Sequence, residues 1–296
     1  MTSAISPITR QATRPYLSLA EFKSAPTALD YSNLVVGGTQ AQQDAELTNA
    51  IYRASSWIDQ YCNQIIGATA DVEQQRVRIR PDGTIRFHPK YFPLVALNSL
   101  SIGYQPNSLT AIADVSSAWL EEQQVIFPYS QIASSMSSQG PLGFGFPSSS
   151  RAEAFINYSY INGYANSAIA SSASAGQTSI TLASGLGIIA GEMLTIFDGA
   201  STERVIVASN YSFGSATVPL TAPLAYSHAV DVTVSNLPAA VKEACILMTS
   251  AYLKIRGDAS MTMAVTSAVT KQSSSDRVAS DVAHASELLK PFRRIR

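Results

Sequence analysis

His88, His228 and His284 are the only histidines in the chain, and they are scattered. No HExxH, paired CxxC, P-loop or GxSxG run occurs, so zinc hydrolysis, phosphate cradling and serine chemistry all lack a sequence footing. The "GFGF" run at Gly143–Phe146 lacks the third glycine and the strand-to-helix setting of a dinucleotide loop, and reads as a loop. Glu121 and Glu122 are adjacent, so on a strand they point to opposite faces and cannot work as an acid–base pair. Asp198 and Glu203 flank a turn and would suit at most a lone cation. Cys62 and Cys245 form neither a disulfide framework nor a zinc site, and each lies on or beside an apolar helical face, where a thiol acts as a small hydrophobe. The expectation is a chain without catalytic, metal-binding or cofactor-binding residues, hence not an enzyme.

Two basic clusters remain. "RVRIRPDGTIR" sets Arg76, Arg78 and Arg80 on one face of a strand, with Arg86 after the turn. They could touch DNA phosphates, or form a polar, salt-bridged face at a subunit contact. A net charge of −1 argues against tight DNA wrapping. At the C-terminus, "LLKPFRRIR" places Lys290, Arg293, Arg294 and Arg296 around Phe292 and Ile295. Pro291 halts the helix, and an extended, basic, partly apolar tail is a good docking peptide.

The elements that must carry these residues follow from pattern. The 296-residue chain is 46% hydrophobic but only 14% charged, against about 25% in ordinary soluble domains. Either uncharged polar groups coat the surface, or partners cover it. No apolar run reaches the length of a membrane span, and the N-terminus lacks the apolar core of a signal peptide. This is the profile of a cytosolically made soluble protein, in which the Asn-Tyr-Ser sequons at Asn157 and Asn210 mean little. Residues 1–15 read as an extended arm. "SLAEFKSA" is a short helix with a Ser18/Glu21 capping box, stopped by Pro26. "DAELTNAIYRASSWIDQYC" puts Leu47, Ile51, Ala54, Ile58 and Tyr61 on one helical face, with Asp44 as N-cap and Gly67 as stop. Arg76 to His88 reads as a hairpin about "PDG". "VALNSLSIGY" and "AWLEEQQVIFP" read as further strands, "SSMSSQGPLGFGFPSSS" as a loop, and "EAFINYSYI" as a strand with Ala154, Ile156, Tyr158 and Tyr160 on one face. A helix over Pro238–Arg256 turns Val241, Ala244, Cys245, Met248, Ala251, Tyr252 and Ile255 to one side, with Gly257 as cap. "DASMTMAVTSAVTKQSSS" is loop-like, and a last helix covers about Asp276 to Leu289.

Between "YINGY" and "LPAAVKEA" lie roughly seventy residues of different character. Charges almost vanish, and "TSITLA", "EMLTIFD", "RVIVAS", "ATVPLTA" and "VDVTVS" alternate with Gly and Ser breaks, the signature of a compact all-β sandwich or barrel. The two long helices each need a partner for an apolar stripe. Their pairing requires the ends of this block, near Tyr164 and Asn236, to lie close together. The expectation is an α+β fold: a discontinuous helical core with β-hairpins over residues 16–164 and 236–296, and an inserted all-β domain over 165–235.

Without the insert, "YLSLAEFKSA", "DAELTNAIYRASSWIDQYC", "FPLVALNSLSI" and "INYSYINGY" joined to "LPAAVKEACILMTSAYLKIRG" resemble the head–tail connector family of tailed bacteriophages, the portal adaptor or head-completion proteins. The resemblance covers about residues 16–164 and 237–256 and rests on the order of helix and turn signatures, none of them catalytic. The family's link from turn to helix is a few residues; here it is the whole β block, which itself looks like a β module of phage structural proteins. The resemblance implies a helical adaptor core and a virion protein at the head–tail junction. It implies a ring of about twelve copies beneath the portal. The partners would be further copies, the portal protein, a downstream neck or tail-completion protein or tail fibres, and double-stranded DNA in passage without sequence-specific binding; no membrane is implied. Lys290, Phe292, Arg293, Arg294, Ile295 and Arg296 would then be portal-docking residues. Arg76, Arg78, Arg80 and Arg86 would line the DNA channel or a subunit contact. The alternative is a tail-fibre or receptor-binding component using its β block for recognition.

Overall fold

The computed structural model describes residues 14–27, 29–31, 34–80, 82, 84–121, 123–128, 153–255 and 274–294. The loop expected around Gly143–Phe146, Glu122, most of the N-terminal arm, Gly257 and the linker after it, and Ile295 and Arg296 lie outside those residues. The architecture corrects the expected fold class. Strand makes up 35% of the described residues and helix 28%, in four antiparallel sheets with three helices of seven or more residues, so the core is not a helical adaptor core. The strands expected as hairpin decorations are instead long enough to build sheets with their own interior. The chain divides into two compact units, one of residues 1–67 and 164–296, the other of residues 68–163.

In the first unit, α1 (Leu19–Ser24) has the Ser18/Glu21 capping box and ends at Ala25, held extended ahead of Pro26. Helix α2 (Gln40–Cys62) starts five residues earlier than an N-cap at Asp44 would have it. Thr39 is the N-cap and Gln42 completes the box, while Asp44 pairs with Lys23 at 2.6 Å. It ends at Asn63, whose φ of 55° is a left-handed cap, rather than at Gly67. Helix α3 (Ala239–Ile255) and helix α4 (Ser274–Leu289) complete the set. Leu47, Ile51, Ala54 and Ile58 of α2 share one core with Val241, Ala244, Cys245 and Met248 of α3 and Ala285 and Leu289 of α4. Burying each large aliphatic side chain contributes about 1.5–3 kcal/mol. Ser55 Oγ lies 3.6 Å from Cys245 Sγ, and Tyr16 N–H donates to Ser55 Oγ at 3.0 Å.

The second unit pairs β1 (Thr69–Arg78) with β7 (Glu153–Asn162), which pairs in turn with β3 (Leu94–Gln105) and that with β4 (Ser108–Ala111). A smaller sheet has the order β2 (Thr84–Phe87), β6 (Gln124–Pro128), β5 (Trp119–Glu121). Ala154, Ile156, Tyr158 and Tyr160 of β7 pack with Val77, Ile85, Phe87, Leu100 and Phe127 in one interior. The Arg76–His88 hairpin is only a pinch. Ile79 bridges Ile85 and Arg80 N–H donates to Thr84 O, but β1 continues along β7 for ten residue pairs, and β2 along β6. The longer partner strands offer more backbone hydrogen bonds than the short arms offer each other.

Residues 165–235 hold β8 (Asn166–Ala168), β9 (Ser179–Thr181), β10 (Met193–Phe197), β11 (Glu203–Ile206), β12 (Thr217–Pro219) and β13 (Thr233–Ser235). They form a sheet of order β11-β10-β13-β8 and a β12-β9 ribbon around Ile180, Leu182, Leu194, Ile196, Val207, Val218 and Val234. The ends of the segment meet: Asn166 pairs with Ser235, and Asn236 N–H donates to Ala165 O at 3.1 Å. Tyr164 also bridges Gly67, and its N–H donates to Ile66 O at 2.9 Å. Thus the two ends of the segment lie together although the chain between them is long.

Candidate functional site

The 165–235 segment brings together three groups that the sequence shows apart. His228, buried, sits between Asp198 and Glu203, with Nδ1 2.9 Å from Asp198 Oδ2 and Nε2 2.7 Å from Glu203 Oε1. The imidazole thus lies between the two carboxylates that flank the turn. Glu203 also accepts the backbone N–H groups of Ala225 and Tyr226 at 2.9 and 3.1 Å. Burial, the largest single influence, pushes the Glu203 carboxyl up; the Ala225 N–H, His228 and the Tyr226 N–H together hold it below its ordinary value. Among the described residues no set of three such donors converges as metal ligands would. The His228 backbone is locked as well, exchanging hydrogen bonds with Ala173. The arrangement ties the loop before β13 to the β10–β11 turn, and its imidazole is fully buried.

A second polar node joins the segment to the helices. Lys242 of α3 is buried, pairs with Glu21 of α1, and lies 3.3 Å from the Phe197 ring centroid on β10. Burial lowers its basicity against the pull of Glu21. In the second unit, Glu73 accepts the hydroxyls of Tyr158 and Tyr160 and the Lys90 N–H, closing the polar end of that interior. Burial and Glu73 push both phenols far up. Burial also raises the Cys62 and Cys245 thiols to about 12, so both buried thiols are inert.

The four arginines do not form one set. Arg76, Arg78 and Arg80 all sit on the exposed side of the β1 line, where Arg76 and Arg78 pair with Glu153 and Arg76 approaches the Phe155 ring. Arg86 belongs to the other sheet, 3.4 Å from Asp82, with its Nε buried and without an acceptor among the described residues. Glu153, distant in sequence, was invisible as their partner until β1 and β7 were known to pair.

The C-terminal tail is docked on its own chain. Lys290–Phe292 forms a 3-10 turn, and Lys290 pairs with Glu287. Phe292 packs on the helical core, edge-on to Tyr164 at 6.4 Å, and Arg293 lies over the Tyr61 ring. Arg294 N–H donates to Cys62 O at 2.9 Å, while the Gln64 and Asn63 amides donate to the carbonyls of Phe292 and Arg294. The expected extended tail therefore begins at Arg293, and its aromatic anchor is already seated. The cue was present in the sequence: α2 ends in apolar and amide residues, "YCNQII", that need a cover.

The His228 node escaped sequence reading because its members lie 30 and 25 residues apart, joined only by strand return. A scan against protein-family models finds no match, and a search of curated proteins finds none either.

Proposed function

We propose that this chain is a non-enzymatic virion component, an adaptor at the junction of phage head and tail, working as a ring of about twelve copies beneath the portal. The observation that carries the reading is the meeting of Tyr164, Ala165 and Asn236 at the foot of the β segment. With the segment set aside, the strand ending in "YINGY" runs directly into the helix opening with "LPAAV", the order on which the resemblance to head–tail connectors depends. The low charged fraction fits a protomer whose flanks are covered by neighbours. In this reading the protein binds by shape and many weak contacts multiplied by copy number. Arg76, Arg78 and Arg80 serve at a subunit contact or beside passing DNA, and the tail from Arg293 onward reaches the portal from the base of α2.

The test is genetic. Removing the gene from its phage should give filled heads and finished tails that do not join, with rescue by the gene in trans. Joined particles lacking only host attachment would instead identify a fibre or receptor-binding component and overturn the reading.

A further inference from the structure

The 165–235 segment has five charged residues, Glu192, Asp198, Glu203, Arg204 and Asp231. Three are committed within the chain: Asp198 and Glu203 to His228, and Glu192 to the Asn236 amide and the Ile189 N–H. The two others, Arg204 and Asp231, are exposed, of opposite sign, and make no side-chain hydrogen bond or ion pair among the described residues. They stand apart on one sheet. Arg204 is on the edge strand β11, opposite Thr195. Asp231 precedes β13, and its N–H donates to Ile169 O just beyond β8, the other edge strand. Each charge has exposed apolar company. Met193 and Ile206, a cross-strand pair, are 51% and 46% exposed on the Arg204 side. Val230, 49% exposed, is next to Asp231.

We infer that this segment is a head-to-tail contact between copies of the chain, in which Arg204 with Met193 and Ile206 of one copy meets Asp231 with Val230 of the next. A contact of two different patches leaves both outer patches free, so it repeats, and closes into a ring when the rotation allows. An isologous contact on either patch would put like charges together. A nucleic acid is a poor occupant, since the segment's outward charges cancel and its other ionised groups are acidic. The closure into a ring rests on the adaptor reading; the pairing of the two patches rests on the charges alone.

The experiment uses the full chain with one introduced surface cysteine, its own Cys62 and Cys245 being buried. Met193→Cys mixed with Val230→Cys, which leaves Arg204 and Asp231 in place, should give one disulfide-linked dimer under mild oxidation, and each variant alone should give none. Carrying both substitutions on one chain should give a ladder of species. Reversing one charge, Arg204→Asp or Asp231→Arg, should weaken self-association by about tenfold or more, and the double reversal should restore most of it. Like-with-like crosslinks, no crosslink, or no rescue by the double reversal would each overturn the contact. The ladder formed by a protein whose deletion leaves heads and tails joined would keep the contact and remove the adaptor reading; unjoined heads with no ladder would do the reverse.

Discussion

Lys242 offers a sharp test of how the helices hold the β segment. Its ammonium is buried between Glu21 and the Phe197 ring, 3.3 Å from the ring centroid. A desolvated cation on an aromatic face is worth about 2 kcal/mol, less on a surface. Phe197→Leu keeps most of the apolar contact and removes the ring, so it should cost about 1–2 kcal/mol in the parent. In a Lys242→Met background the same change should cost less than about 0.5 kcal/mol, because an aliphatic neighbour has no charge for the ring to attract. Glu21→Gln in the parent should cost more, about 3–5 kcal/mol, since it leaves a buried cation unpaired and weakens the cap on Ser18 N–H. The readout is amide exchange of α3, which reports the opening of this unit separately from the other. An equal cost of Phe197→Leu in both backgrounds would refute the coupling.

Ile58→Asp or Met248→Asp should each destabilise the first unit by several kcal/mol, because both side chains lie in the shared helical core; parent-like exchange of α2 and α3 amides would contradict this. Tyr16, Tyr158 and Tyr160 are buried phenols held above their ordinary value, with burial the main cause in each. The stability they give is fully present below about pH 10 and is lost as the pH climbs toward their folded values, because only the unfolded chain then releases the protons. Lys242 works the opposite way but is one group against three. Absorbance at 295 nm should therefore show part of the tyrosines ionising only with alkaline unfolding, and smooth titration of all of them would contradict it. Removing Pro291–Arg296 should lower the stability of the first unit by about 2–4 kcal/mol, through lost Phe292 packing and the Arg294 N–H bond to Cys62 O, seen as faster exchange at the end of α2; unchanged exchange would mean the tail does not cap that helix.

Periodicity located most elements because burial follows it. The α2 stripe at Leu47, Ile51, Ala54 and Ile58, the alternation of Ala154, Ile156, Tyr158 and Tyr160, and the five β pieces of 165–235 all lie where spacing puts them. The adjacency of Tyr164 and Asn236 was also legible, since two apolar stripes had to meet. Partner choice was not. "PDG" marks a turn but cannot say that β1 prefers β7 and β2 prefers β6, a competition settled by strands far along the chain. That competition turned expected hairpins into sheets and overturned the helical core. Caps erred for a local reason: Thr39 with Gln42 and Asp44 both offer helix starts, and the one with a reciprocal box prevails. The His228 node, the Glu153 pairing of the arginines and the seat of Phe292 all depend on contacts across long sequence gaps, which carry no local pattern.

Counting copies decides whether this chain forms a portal-bound ring. The chain should be co-expressed with the portal protein of its own genome, and the purified assembly weighed by native mass spectrometry. About twelve copies of the 31.5 kDa chain should be found on each portal ring, retained through purification. A portal ring that carries no bound chain, or a chain that assembles apart from the portal as a trimer, would contradict it.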